Sequence, residues 1–364
     1  MCREMEYEYW MARIQHLSNH KKYLLRLHLE SAKKLYYIEE MQIAGLPFLN
    51  EKERNTIRQA QREKDIRHAY EEMTGKGIRF VPWFSSEYPA ALKEISDFPY
   101  ALYVKGKLPD EMSRRIAIVG ARRCTPYGEK YALEFGRQLA EHGIQIISGL
   151  ARGIDGMGQR GALLGGGNTF AVLGSGVDVC YPREHIGLYM DILEQGGGIL
   201  SEQPPGTPPL ACHFPMRNRI ISGMSDAILV MEAGKRSGSL ITADLALEQG
   251  KEIYALPGPV NSRLSEGCNL LIQQGAGILL SPEMLLEELG ITDAISCKNS
   301  DKNEKMLESP ENMVYSCVGL YPKSISRLQE ETQLEADELV QRLVSLELQG
   351  LIREISKNYY IKIK

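Results

Sequence analysis

R-I-A-I-V-G-A-R-R-C-T-P-Y-G, residues Arg115 to Gly128, decides the fold. The apolar run Ile116 to Val119 stops at a glycine, two arginines and a Thr-Pro pair. A continuous apolar run this short, ended by turn residues, reads as a strand buried on both faces. The pattern recurs at Ile144–Ile147, Thr169–Leu173, Ile199–Leu200, Ala227–Met231, Ile253–Leu256 and Ile278–Leu280, with helical stretches between the runs. The alternation predicts an α/β fold built on a Rossmann-like, doubly wound, mostly parallel sheet.

Sheets of this kind hold ligands beyond the carboxyl ends of their strands, so function belongs in the loops after each run. Beyond Gly120–Gly128 these loops are S-G-L-A-R-G-I-D (Ser148–Asp155), G-S-G-V-D-V-C-Y-P (Gly174–Pro182), S-E-Q-P-P-G-T-P-P (Ser201–Pro209), E-A-G-K-R-S-G-S-L-I-T-A (Glu232–Ala243) and P-G-P-V-N-S (Pro257–Ser262). Tight strand-to-helix turns account for the glycines but not for the arginines. Arg122, Arg123, Arg152, Arg217, Arg219 and Arg236 stand among small residues that let a ligand reach the backbone, which makes a row of anion nests along one sheet edge. Such a row suits a polyphosphate chain better than one small ligand. A dinucleotide cofactor needs G-x-G-x-x-G at the first turn, but Gly120 is followed by Ala121 and Arg122, and Gly174-Ser175-Gly176 lacks the third glycine. G-x-x-x-x-G-K-[ST] is missing too, so no nucleotide cofactor is expected.

The stretch H-F-P-M-R-N-R-I-I-S-G, His213 to Gly223, places Phe214, Arg217, Asn218 and Arg219 directly before the apolar turn Ile220-Ile221. This predicts polar groups at the start of a buried helix, where unpaired backbone N–H groups and arginine charge favour phosphate. On residues alone the alternative stands that both arginines pair with carboxylates and Phe214 is core.

The chain has 364 residues, 43% hydrophobic and 25% charged, which fits a folded protein of two or three domains. The uncharged run Gly161–Val177 is broken by glycines and an Asn, and M-C-R-E-M-E-Y-E at the start has no apolar signal core, so no membrane span or export is expected and the expected location is cytoplasmic. Seven cysteines without any C-x-x-C fit reduced thiols and no metal. A net charge of −4 argues against a chain coated in nucleic acid but leaves room for a local basic track.

Residues 1–75 carry helical spacing (Leu24, Leu25, Leu27, Leu29; Ile57 to Met73) and read as a helical domain. Residues 76–112 form an aromatic-rich lead-in with Phe80, Trp83, Phe84, Tyr88, Phe98, Tyr100 and Tyr103, kept extended or turning by Pro82, Pro89 and Pro99. Few positive charges interleave these rings, which favours an arm packed on the core over a base-stacking surface. The Rossmann-like domain spans 113–292, and the polar stretch 293–312 reads as a linker. Residues 313–364 have the helix–turn–helix–hairpin pattern of a winged helix, yet the helix Glu335–Glu347 holds four acids and only Arg342 as a base, so it should repel phosphate.

These loops in this order, with F-P-M-R-N-R-I-I-S-G, S-G-S-L-I-T-A, Tyr88-Pro89 and L-Y-V-K-G at Leu102–Gly106, resemble the DNA-processing protein A family (DprA/Smf) from about Phe80 to Gly290. The resemblance implies a Rossmann-like domain that binds single-stranded DNA, usually as a homodimer, and loads the RecA recombinase in transformation or recombination. It also implies that Arg122, Ser148, Gly149, Arg152, Phe214, Arg217 and Asn218 contact DNA, with Ser237, Gly238 and Ser239 beside them, and that a winged helix closes the chain. Asp155 is expected to cap the helix that follows it. The helix-hairpin-helix that many members carry is not legible before Gly45. The rival class is a nucleotide-cleaving hydrolase, for which Glu202 and Glu232 are the candidate carboxylates; no nucleophile–base pairing or metal set is legible, so no enzyme is expected.

Overall fold

Every apolar run between Ile116 and Leu280 is a strand in the computed structural model, which describes residues 4–291, 310–319, 323–356 and 358–362. Two strands precede them, β1 (Arg79–Pro82) and β2 (Ala101–Gly106), so the runs supply β3 (Arg115–Val119), β4 (Gln145–Ser148), β5 (Thr169–Leu173), β6 (Gly198–Ser201), β7 (Ala227–Val230), β8 (Glu252–Ala255) and β9 (Gly277–Ile278). The sheet order is β1-β2-β6-β5-β4-β3-β7-β8-β9. All pairings from β6 to β9 are parallel, and β2 runs antiparallel to both β1 and β6. The aromatic lead-in thus becomes the last two strands at one side of the sheet, with β1 at the edge, and its rings Phe80, Tyr88, Tyr100 and Tyr103 are buried.

Strand residues alternate between faces, so a strand covered on both sides must be apolar throughout. Ile116 and Ile118 of β3 face one core with Phe135 and Leu139, while Ala117 and Val119 face another with Ile220 and Ile221. The first face is covered by α8 (Pro126–Glu141) and α9 (Ile154–Leu164), the second by α11 (His213–Met224) and α12 (Gly238–Glu248). The remaining helices of this unit are α7 (Ala90–Lys93), α10 (Ile186–Glu194), α13 (Glu266–Gln273) and α14 (Pro282–Glu288). Six N-terminal helices, α1 (Met5–Arg13), α2 (Asn19–Leu29), α3 (Ala32–Tyr37), α4 (Glu40–Ala44), α5 (Glu51–Ala60) and α6 (Ile66–Gly75), share a core with the sheet in which Trp10, Leu25 and Ile57 join Tyr103, Leu173 and Ile199.

The chain divides into two units, Met1–Ile291 and Thr292–Lys364. The second comprises α15 (Pro310–Cys317), β10 (Lys323–Ser324), α16 (Ile325–Thr332), α17 (Ala336–Leu348), β11 (Ile352–Ser356) and β12 (Tyr359–Lys362), built around Val314, Leu328, Leu339, Leu343, Ile352 and Tyr360. Three helices and a small sheet give the expected winged helix. Most of the expected linker lies outside the described residues, and its last three residues, 310–312, already belong to α15.

Candidate nucleic-acid interface

The sheet changes its direction of winding at β3, with β4, β5 and β6 added on one side and β7, β8 and β9 on the other. Loops leaving such a switch point diverge and open a crevice. Here it is a cleft of about 570 Å³ lined by Arg122 after β3, Ala151 and Asp155 after β4, Tyr181 after β5, Phe214, Arg217 and Asn218 of α11, and Ser237–Ser239 after β7. A small annex of about 30 Å³ adds Gly149 and Arg152.

The floor is set by α11, which starts at His213, so the polar stretch and the apolar turn Ile220-Ile221 belong to one helix. Arg217 and Arg219 are therefore inside the helix, and two residues along a helix point to different sides. Arg217 is buried toward the cleft: its Nη1 donates to the Gly149 carbonyl at 2.9 Å and to the Val172 carbonyl, and its Nε donates to Asn218 Oδ1 at 3.2 Å. Arg219 is buried elsewhere, its Nη2 donating to both Glu202 oxygens at 2.7 and 2.8 Å and its Nε to Asp97 at 3.2 Å. The expectation that Arg219 meets an anionic ligand is corrected: two carboxylates already neutralise it, and it does not line the cleft.

Burial pushes the Arg217 guanidinium down to about 10, against the opposing charge of Asp155. Burial likewise raises the Asp155 carboxyl, opposed by Arg217 and by the Gly149 N–H, which donates to it at 3.1 Å. Asp155 lies within the first turn of α9 and is not its cap. Gly153 takes the cap position because the backbone there has φ +69° and a Cβ would fall 2.3 Å from the Ala121 carbonyl oxygen. Ser148 is fully buried, its hydroxyl donating to the Ile118 carbonyl at 2.6 Å, and a Cβ on Gly149 would meet the Arg217 guanidinium at 2.4 Å. Ser148 thus lies beneath the cleft, with its hydroxyl committed to β3.

The rim carries the exposed groups. Arg122 stands with its Cζ 5.1 Å from the Phe214 ring centroid, and the Tyr181 ring lies 5.6 Å from Phe214 at 38°. Arg152 is exposed but paired with Glu184, Nη2 to Oε2 at 2.7 Å. Across the cleft Ser237 caps α12, its Oγ accepting from the Ser239 N–H, and the amino end of that helix, with its partial positive charge, lines the opening. Asn218 bridges to this side through Nδ2 and the Gly238 carbonyl at 3.4 Å. Cleft and annex bring together Arg122, Gly149, Arg152, Phe214, Arg217, Asn218, Ser237, Gly238 and Ser239. Sequence reasoning passed over Tyr181, whose signal was an aromatic ending a carboxyl-end loop.

The carboxylates of the rival class have structural work. Glu232 is buried and accepts from the Thr125 N–H at 2.8 Å and its hydroxyl at 2.5 Å, holding the start of α8. Glu202 accepts from Arg219 and from Asn19 Nδ2 at 2.6 Å. Among the described residues no group of three or more His, Cys, Asp or Glu side chains is placed to hold a metal, and no helix is long and apolar enough to cross a membrane.

Residues 79–290 match the family model of DNA recombination-mediator protein A, and residues 298–356 match that of the DprA winged helix domain. The chain is 41% identical to Protein Smf of Escherichia coli over 316 residues, covering 84% of each, and 39% identical to the DNA processing protein DprA of Bacillus subtilis over 251 residues, covering 67% of this chain and 84% of the relative. Its fold is similar to that of DprA from Streptococcus pneumoniae, with TM-score 0.68 and 34% identity over 78% of this chain and 97% of the other. A Helicobacter pylori DprA structure, described for its single-stranded DNA binding mode, aligns with TM-score 0.52 and 30% identity over 58% of this chain and 95% of that one. A nine-stranded sheet with its cleft at the β3 switch point, matched over more than half the chain's length by one family model, places this chain in the DNA recombination-mediator protein A (DprA/Smf) family.

Proposed function

We propose that this chain is a non-enzymatic recombination mediator that binds single-stranded DNA in the β3 switch-point cleft and hands it to a RecA-type recombinase, acting in the cytoplasm as a homodimer. The observation that carries the reading is the composition of that one cleft: the exposed Arg122, two neighbouring aromatic rings and a capped helix amino end share one opening. Phosphate needs the first and third, base faces need the second, and none of them reads a base edge. In this reading Arg122, Arg152, Asn218 and Ser237–Ser239 meet the backbone. Arg217 supplies positive potential from the floor, and Ser148 and Gly149 shape that floor. The engagement of Glu202 and Glu232 in structural bonds supports a non-catalytic role.

Residues 113–292 then carry DNA, 1–75 and 76–112 brace the far edge of the sheet, and 313–364, reached through 293–312, meet protein. The test is fluorescence anisotropy of a labelled mixed-sequence strand against duplex over a salt series, beside a nucleotide-hydrolysis assay. Single strands should bind more tightly at every salt concentration. Arg122→Ala should lower the log–log salt slope by about 0.7, one phosphate's worth of counterions, while Phe214→Ala weakens binding at an unchanged slope. Tighter binding to a particular duplex, or nucleotide turnover, would sink the reading.

A further inference from the structure

Phe214 has few free faces. Its ring stands over the backbone of Gly174, where a Cβ would lie 3.0 Å from Phe214 Cδ1, the Arg122 guanidinium sits 5.1 Å from its centroid, and Tyr181 lies alongside at 5.6 Å. It is half-buried. Tyr181 is placed differently. It is 40% exposed, lines both the cleft and the annex, and its hydroxyl makes no hydrogen bond among the described residues. The ring packs on Phe214 and still leaves a large part of the residue open on the cleft rim. Pro182, buried directly after it, holds its backbone against the annex wall. The annex, at about 30 Å³, is small beside the cleft of about 570 Å³, so a base stacked on Tyr181 lies in the main cleft. Arg122 and Arg152 line the annex together with this ring.

We infer that Tyr181, which rests on Phe214, is the ring on which the cleft stacks a DNA base, with Arg122, and Arg152 once it exchanges its exposed pairing with Glu184, taking the neighbouring phosphates. A π-face accepts any base, so the contact is sequence-tolerant, and guanidinium groups lining the annex beside this ring put positive charge where the phosphate next to a stacked base would lie. Phe214 is the backing that fixes the tilt of Tyr181 and orders Arg122. This assignment rests on the single-strand reading of the cleft and adds to it the residue that meets the base.

The experiment compares the parent, Tyr181→Phe and Tyr181→Ala by anisotropy on a labelled thymidine oligonucleotide and on an abasic strand of equal length, with circular dichroism to confirm folding. Tyr181→Ala should bind the thymidine strand at least roughly fivefold more weakly, the lower end of a lost base–aromatic stack, at an unchanged salt slope. Tyr181→Phe should keep the parental affinity, and all three proteins should agree on the abasic strand. Parental affinity in Tyr181→Ala overturns the assignment, as does a Tyr181→Phe as weak as the alanine variant or a loss that persists without bases. A parent that binds neither strand overturns the single-strand reading itself, a result distinct from these.

Discussion

Lys22 on α2 is only 7% exposed, with Nζ 2.6 Å from the Ala12 carbonyl oxygen, and burial pushes its ammonium down to about 8, opposed by the charge of Glu202. In the unfolded chain the same group titrates near about 10.4, so between about pH 8 and 10 the unfolded state holds more protons than the folded one. The sign follows: stability from this residue rises with pH across that window and is lowest below it. Lys22→Met keeps the apolar stem and removes the titration. Relative to this variant, the parent should gain up to about 3 kcal/mol between about pH 7 and 10 in urea unfolding. Both tryptophans, Trp10 and Trp83, lie in the unit that contains Lys22, so their fluorescence reports its unfolding. A stability difference that stays flat with pH would show that Lys22 reaches water. Among the arginines, the parting of Arg217 and Arg219 shows why a basic motif cannot be read as a block: helix geometry sends one to the cleft and the other into the Glu202–Asp97 pair.

Among the elements, the crossing of α8 and α9 holds the site. Glycines there are contact surfaces: a Cβ on Gly161 would lie 2.1 Å from the Leu133 carbonyl oxygen, and one on Gly136 would lie 2.2 Å from that of Gly158. Both obstacles are backbone, which cannot rotate away. Gly161→Ala should therefore cost about 3 kcal/mol or more by forcing the helices apart, in spite of the better helix propensity of alanine. Because α9 begins beside the cleft floor, single-strand affinity should fall with it. At Gly187, in the first turn of α10, an added Cβ would meet nothing within 4 Å, so Gly187→Ala should be neutral or stabilising by up to about 1 kcal/mol. Thermal melts of the two variants check this. Equal melting temperatures would mean the crossing tolerates a methyl group and is looser than these distances.

Across the whole molecule, the two units have opposite electrostatic character where DNA is concerned. The cleft offers Arg122 and the amino end of α12, whereas α17 carries Asp337, Glu338 and Glu347 with Glu335 as its cap, and its Arg342 is paired with Glu338 at 3.5 Å. A chain ending at Ile291 retains every residue of the cleft and should keep most of the single-strand affinity, measured by anisotropy against the full chain. A loss of roughly tenfold or more, with the circular dichroism of the first unit intact, would mean the winged helix holds DNA after all.

The seven strands from β3 to β9 were legible in the order of residues, since a strand buried on both faces must be apolar at every position and that demand is local. So was the position of the cleft, because carboxyl-end loops follow from strand order along the chain, and so was the acidity of α17. Folding in three dimensions was needed to extend the sheet through the aromatic lead-in as β1 and β2, to begin α11 at His213, and to bring Tyr181 against Phe214. It was needed too for choosing which arginine faces the cleft, through a bond from Arg217 to Gly149, 68 residues away, and one from Arg219 to Asp97, 122 residues away. The difference is one of range. Burial pattern is set by near neighbours, whereas the orientation of a polar side chain is set by whichever distant carbonyl or carboxylate satisfies it after the sheet has closed.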